Sequence, residues 1–238
     1  MNRVKLFCLP YAGGSAMNYS SWRIRMPPWI EVVPIEMAGR GIRLADPFYK
    51  SLRGDGTDDL IRQIAEHLDE TPFAIFGHSM GALFAYEASL RIFSLTNRSP
   101  AHVFLSGCKA PHLRENKNVH LMPEKEFQEH ILQLGGTSPD IFENKELSML
   151  FLPILRADYR LVETYESALR EKLDCDITAL YGAQDRYSRN EAEEWKQYTK
   201  RKCHVNEFQG NHFFIHTDVG QVVDLICQQL TIIDGQDR

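Results

Sequence analysis

Short β-rich runs alternate with helical patterns along this sequence, and no other feature restricts its fold so strongly. The runs occupy residues 4–9, 30–36, 73–77, 102–107, 177–182 and 204–208, and several stop at a glycine or proline. Strands separated by helix-length segments pair in parallel, because a parallel neighbour is reached only by a crossover over the face of the sheet. The pattern predicts an α/β fold with a mostly parallel central sheet and helices on both faces. A chain of 238 residues is long enough for one such domain, and no Pro/Gly/Ser-rich linker or charge run divides it, so residues 1–238 read as a single domain.

Two of the helical patterns are plain. Residues 57–68 carry apolar side chains at 60, 61, 64, 65 and 68, with Asp58 and Asp59 at the end where the helix dipole favours negative charge. Residues 219–230 repeat the amphipathic pattern and should close the chain. The alternation fails between about 108 and 173, where only helical patterns occur. A helical lid inserted between two strands is expected there, with a plain long crossover as the alternative. Pro153 should kink or split the longer of its helices, and the apolar faces of 127–134 and 147–155 should be buried.

The sharpest local signal is Gly77-His78-Ser79-Met80-Gly81, which follows an apolar strand and precedes a small-residue helical run. Gly-x-Ser-x-Gly alone is weak, since serine and glycine are common turn residues. Between a strand and a helix it has a mechanical meaning: the flanking glycines make room for the serine to project from a sharp turn as a nucleophile. Such a serine needs a base, a group to orient the base, and donors for the oxyanion. On this fold the partners follow in the order Ser, Asp or Glu, His, each after a late strand. Asp185 lies three residues past Gly182, and His212 lies four past Phe208 in a glycine-containing turn. Asp174 and Asp176 precede their strand and sit at the wrong edge, whereas His216 is a competitor expected to be structural. The catalytic set is thus Ser79, Asp185 and His212. The oxyanion donors are the backbone N–H of Met80 and one from the loop Leu9-Pro10-Tyr11-Ala12-Gly13-Gly14-Ser15, for which Ala12 is chosen. No residue is assigned to substrate binding.

Charge and composition remove other classes. A net charge of −5 argues against a nucleic-acid partner held by phosphate neutralisation, and the apolar runs are strand-length rather than membrane-length. The N-terminal apolar stretch is cut short at Pro10, unlike a signal peptide. Five scattered cysteines show neither metal spacing nor a paired framework. The expectation is a cytoplasmic protein, monomeric, without metal or cofactor and without a membrane partner.

Taken together and in order, "LPYAGGS", "GHSMGA", "LPILRADYRLVETY", "YGAQDRY" and "FQGNHFFI" resemble the type II thioesterases, stand-alone α/β-hydrolases that accompany nonribosomal peptide and polyketide synthetases. The resemblance spans essentially the whole chain. It implies an α/β-hydrolase fold with a helical lid, a triad of Ser79, Asp185 and His212, oxyanion amides at Met80 and Ala12, and an acyl or peptidyl carrier protein as partner. The implied activity is repair: hydrolysis of wrong acyl groups from the carrier's phosphopantetheine arm. A discrete product-releasing thioesterase, a general carboxylesterase and a non-catalytic binding protein are the other readings. The family commonly carries Pro-Gly-Arg after the second strand, where this chain has Ala38-Gly39-Arg40, which should loosen that turn. Arg40, Arg43 and Arg53 are expected as a solvated basic surface, with a carrier-protein contact as the alternative.

Overall fold

The computed structural model describes residues 3–115, 117–166 and 171–236; residues 116 and 167–170 of the expected insertion lie outside the described residues. Six strands, β1 (Val4–Leu9), β2 (Ile30–Pro34), β3 (Phe73–His78), β4 (His102–Ser106), β5 (Asp176–Gly182) and β6 (Cys203–Phe208), form one sheet in the order β2-β1-β3-β4-β5-β6. All five pairings are parallel. The α/β expectation holds, and each strand falls within a residue or two of the run that predicted it.

The strand period of two separates the core into two layers. Phe7, Leu9, Ile75 and Leu105 point to the face covered by α2 (Thr57–Ala65) and α3 (Met80–Thr96), while Leu6, Cys8, Ala74 and Phe76 point to the other. There α1 (Trp22–Arg25) and the C-terminal helix supply Trp22, Val222 and Ile226. Helices therefore cover both faces, as a sheet buried on both sides requires.

Among the described residues between β4 and β5 there is no strand. Three α-helices stand there, α4 (Glu124–Gln133), α5 (Asp140–Glu143) and α6 (Lys145–Glu163), preceded by short 3-10 turns at Pro111–Leu113 and Val119–Leu121. Val119, Phe127, Ile131, Leu152 and Leu155 form a small cluster of their own, apart from the two sheet layers. Two expectations are corrected. Pro153 does not split its helix, since α6 runs through it; Met149, the residue whose carbonyl a proline at 153 deprives of its partner, is 69% exposed. Nor is the whole apolar stripe of 147–155 buried, because Leu147 and Leu150 remain partly exposed and Met149 largely so. After β5 come α7 (Arg189–Glu193), α8 (Phe214–Thr217) and α9 (Val219–Gln236). Among the described residues no helix is long and apolar enough to cross a membrane.

The turn after β2, expected to be loosened, has a hydrogen bond of its own at the position without proline. Ala38, standing where the family has proline, donates its N–H to the Tyr49 hydroxyl at 3.2 Å, a bond proline cannot make. The three arginines do not form a basic surface either. Arg43 pairs with Asp46 and Asp59, Arg53 with Glu87 and Glu171, and Arg40 is buried against Asp158.

Candidate active site

The turn between β3 and α3 places Ser79 at φ 54° and ψ −113°, a conformation that costs a non-glycine residue of order 1–3 kcal/mol. Its neighbours permit it. A Cβ on Gly77 would lie 2.0 Å from the Gly81 carbonyl oxygen, and one on Gly81 would lie 2.3 Å from that of Leu9, so both flanking positions have room only for hydrogen. The Ser79 N–H is tied to the Ser106 carbonyl at 2.7 Å, which anchors the turn to the end of β4. Strain held this firmly by its surroundings is what a projecting nucleophile requires.

Two loops at the same edge of the sheet bring the partners. Asp185 follows β5 in a turn closed by its own N–H on the Gly182 carbonyl at 2.9 Å, and His212 follows β6. His212 Nδ1 and Asp185 Oδ2 are 2.9 Å apart, with the carboxylate 2% exposed and the imidazole 13%. Asp185 Oδ1 accepts the Arg186 N–H at 2.6 Å, so both carboxylate oxygens are occupied. A carboxylate on Nδ1 selects the tautomer that leaves Nε2 bare, the form a general base needs.

Ser79, His212, Asp185, Met80 and Ala12 line one cavity of about 270 Å³. Met80 is the first residue of α3, and its N–H is one of the four that a helix start leaves without an intrahelical acceptor. Among the described residues neither that amide nor the Ala12 amide has an acceptor. All five residues singled out in the sequence are therefore brought together. His216 is not among them: its Nε2 lies 3.0 Å from the Tyr11 hydroxyl, and its ring stacks on Phe213 at 6.2 Å.

Sequence reasoning left the rest of the cavity unassigned. The insertion, expected as a lid, supplies Leu113, Arg114, Val119, Leu134, Tyr159 and Val162 to its wall, individual residues that no motif marked. His78, the residue before Ser79, also escaped notice. It is fully buried beneath His212, with ring centroids 5.0 Å apart, and its Nδ1 lies 2.8 Å from Ser106 Oγ. Burial, reinforced by His212 and His216, pushes its imidazole well below the ordinary histidine value, so it supplies a neutral floor to the site.

Comparison with known proteins agrees with this geometry. A family model described as "Thioesterase domain" matches residues 4–230. Linear gramicidin dehydrogenase LgrE of Brevibacillus parabrevis is 37% identical over 232 residues, spanning 94% of this chain and 86% of its own. Its name denotes an oxidoreductase, yet the loop after β1 here is Leu-Pro-Tyr-Ala-Gly-Gly-Ser, built differently from the dinucleotide fingerprint Gly-x-Gly-x-x-Gly. ClbQ from the colibactin NRPS/PKS pathway superposes with a TM-score of 0.92 at 36% identity, covering 98% of this chain and 99% of its own. The type II thioesterase BorB from the borrelidin cluster gives 0.86 at 31% identity, covering 96% and 93%. The six-stranded parallel sheet, the serine turn and these matches over nearly the full length have one meaning: the chain belongs to the thioesterase family.

Proposed function

We propose that the protein hydrolyses acyl thioesters from the phosphopantetheine arm of a carrier protein in nonribosomal peptide or polyketide synthesis, clearing aberrant acyl groups. The observation that carries the reading is the strained Ser79 in one cavity with an imidazole already oriented by Asp185. Ser79 Oγ attacks the thioester carbon while His212 Nε2 takes its proton, and the Met80 and Ala12 amides receive the developing oxyanion. Collapse expels the pantetheine thiolate, which His212 protonates, leaving an acyl ester on Ser79. Water then attacks that ester with His212 as base, a second oxyanion forms and collapses, and the acid departs with Ser79 regenerated. Asp185 stays ionised and stabilises the imidazolium in both halves. Side chains and backbone amides of this chain supply every step, so the mechanism calls for no metal or cofactor beyond the arm that the substrate brings.

The association of ClbQ and BorB with synthetase pathways supports the carrier protein as partner. We place the protein in the cytoplasm, acting as a monomer. A repair enzyme must accept many acyl groups, so its binding energy should come from the carrier and the pantetheine arm, where it can still accelerate the reaction by positioning the thioester. One short acyl group on three leaving groups tests this. The carrier-protein thioester should show the highest kcat/KM, the coenzyme A thioester less, and a p-nitrophenyl ester, corrected for intrinsic reactivity, the least. The reverse order would make a general carboxylesterase the better reading.

A further inference from the structure

Three segments remote in sequence converge beside Ala12. The loop after β1 brings Gly13 and Gly14, the turn after β2 brings Arg40, and α6 brings Leu155 and Asp158. Arg40 and Asp158 form a bidentate pair, Nη1 to Oδ2 at 2.6 Å and Nη2 to Oδ1 at 2.7 Å, with side chains only 4% and 2% exposed. Both reach beyond each other. Asp158 Oδ2 also accepts the Gly13 N–H at 2.8 Å, and Arg40 Nη1 also donates to the Gly14 carbonyl at 3.2 Å. Gly13 has φ +78°, and a Cβ there would lie 2.6 Å from Leu155 Cδ2, so α6 presses on this loop one turn away from its carboxylate.

A buried ion pair is a weak source of stability, because desolvation offsets much of the attraction. Its effect here is geometric. The Gly14 N–H donates to the Tyr11 carbonyl at 2.9 Å, and that carbonyl belongs to the same peptide unit as the Ala12 N–H. In a trans peptide the two groups point in opposite directions, so fixing one aims the other. We infer that Arg40 and Asp158 are positioning residues: by gripping Gly13 and Gly14 they aim the Ala12 N–H at the oxyanion, and because α6 carries Asp158, the donor is aimed only while that helix is seated. This rests on the reading of Ala12 as an oxyanion donor given above.

Two variants test it: Asp158→Asn, and the double variant Arg40→Met/Asp158→Leu, which removes both charges together and so avoids a lone buried one. Four quantities are measured on each: kcat and KM for an acyl thioester, affinity for the matching trifluoromethyl ketone, affinity for a thioether lacking the carbonyl, and the melting temperature. The ketone carbon takes Ser79 Oγ, the serine proton passes to His212, and the ketone oxygen becomes an oxyanion, so its affinity reports the donors directly. Deleting an oxyanion donor costs roughly 10²–10³-fold in kcat, and misaiming one should cost about 10–100-fold. The expected result for Asp158→Asn is that kcat and ketone affinity fall together by that factor while KM and thioether affinity stay within about twofold. The double variant should melt near the parent and remain slow. A double variant with parental kcat, or a thioether weakened as much as the ketone, would overturn the assignment; if the double variant does not fold, the ketone-to-thioether comparison in Asp158→Asn decides. Failure of the ketone to attach to Ser79 in the parent protein would instead sink the underlying reading, and the inference with it.

Discussion

Ser79 is held in a strained backbone conformation, and the cost is tolerated because Gly77 and Gly81 make room for the turn and the Ser106 carbonyl holds the Ser79 N–H. If it is the nucleophile, Ser79→Ala should abolish covalent labelling by a fluorophosphonate and lower turnover by at least ~10⁴-fold with the fold intact, as circular dichroism would register. The two candidate histidines differ in their partners. His212 has a buried carboxylate on Nδ1, whereas His216 has the Tyr11 hydroxyl. His212→Ala should therefore be nearly as damaging as loss of the serine, and His216→Ala should cost less than about tenfold. A larger loss at 216 than at 212, read from kcat/KM of the two variants, would move the base to the other side of Tyr11.

At the level of elements, the insertion combines a tethered end with a loose one. The C-terminal half of α6 is anchored, with Asp158 in its ion pair and Leu161 in the main core, whereas its first half exposes Leu147, Met149 and Leu150. α4 is held chiefly by Phe127 and Ile131 in a small separate cluster. Local opening should follow this difference, since segments with few buried apolar contacts exchange their amides through low-energy openings. Hydrogen exchange is expected to run faster in residues 124–133 and 145–152 than in 155–163, with β3 and β4 slowest. Uniform protection across the insertion, equal to that of the strands, would contradict a roof that opens over the serine.

For the molecule as a whole, buried histidines should make stability fall with pH below neutrality. His102, the first residue of β4, is 1% exposed, with Nε2 2.7 Å from Thr178 Oγ1 of β5, and burial pushes its imidazole down to about 4. His78 is displaced in the same direction by burial. Below the ordinary imidazole value of about 6.5 the unfolded chain takes up protons that the folded one refuses, so stability present at neutral pH is lost as pH falls from there toward 4. His102 alone should account for ~2 kcal/mol between pH 7.5 and 5, an order-of-magnitude figure from linkage. Urea unfolding at the two pH values measures it. His102→Gln, which cannot titrate, should shrink the difference by about that amount, and an unchanged difference would show that the acid sensitivity lies elsewhere.

The strands, the serine turn and the order Ser79, Asp185, His212 were determined by sequence alone, because each rests on local rules. A period of two buries alternate side chains, Gly-x-Ser-x-Gly between a strand and a helix makes room for a sharp turn, and residues just past strand ends collect at one edge of a parallel sheet. What only the tertiary structure decided depends on contacts between segments that no local rule relates. Arg40 and Asp158 are 118 residues apart, and in sequence the arginine sits near Arg43 and Arg53 as one of several surface-like cations. The one local hint was Asp158 falling on the same helical stripe as Ile154, Leu155 and Leu161, where a buried charge needs a partner. Likewise Pro153 looked like a break or a kink, yet its helix continues through it on a side where Met149, whose carbonyl it orphans, is exposed. Charge pairing, exposure and the shape of the cavity are properties of the assembled chain, since desolvation is settled only when all the covering segments are in place.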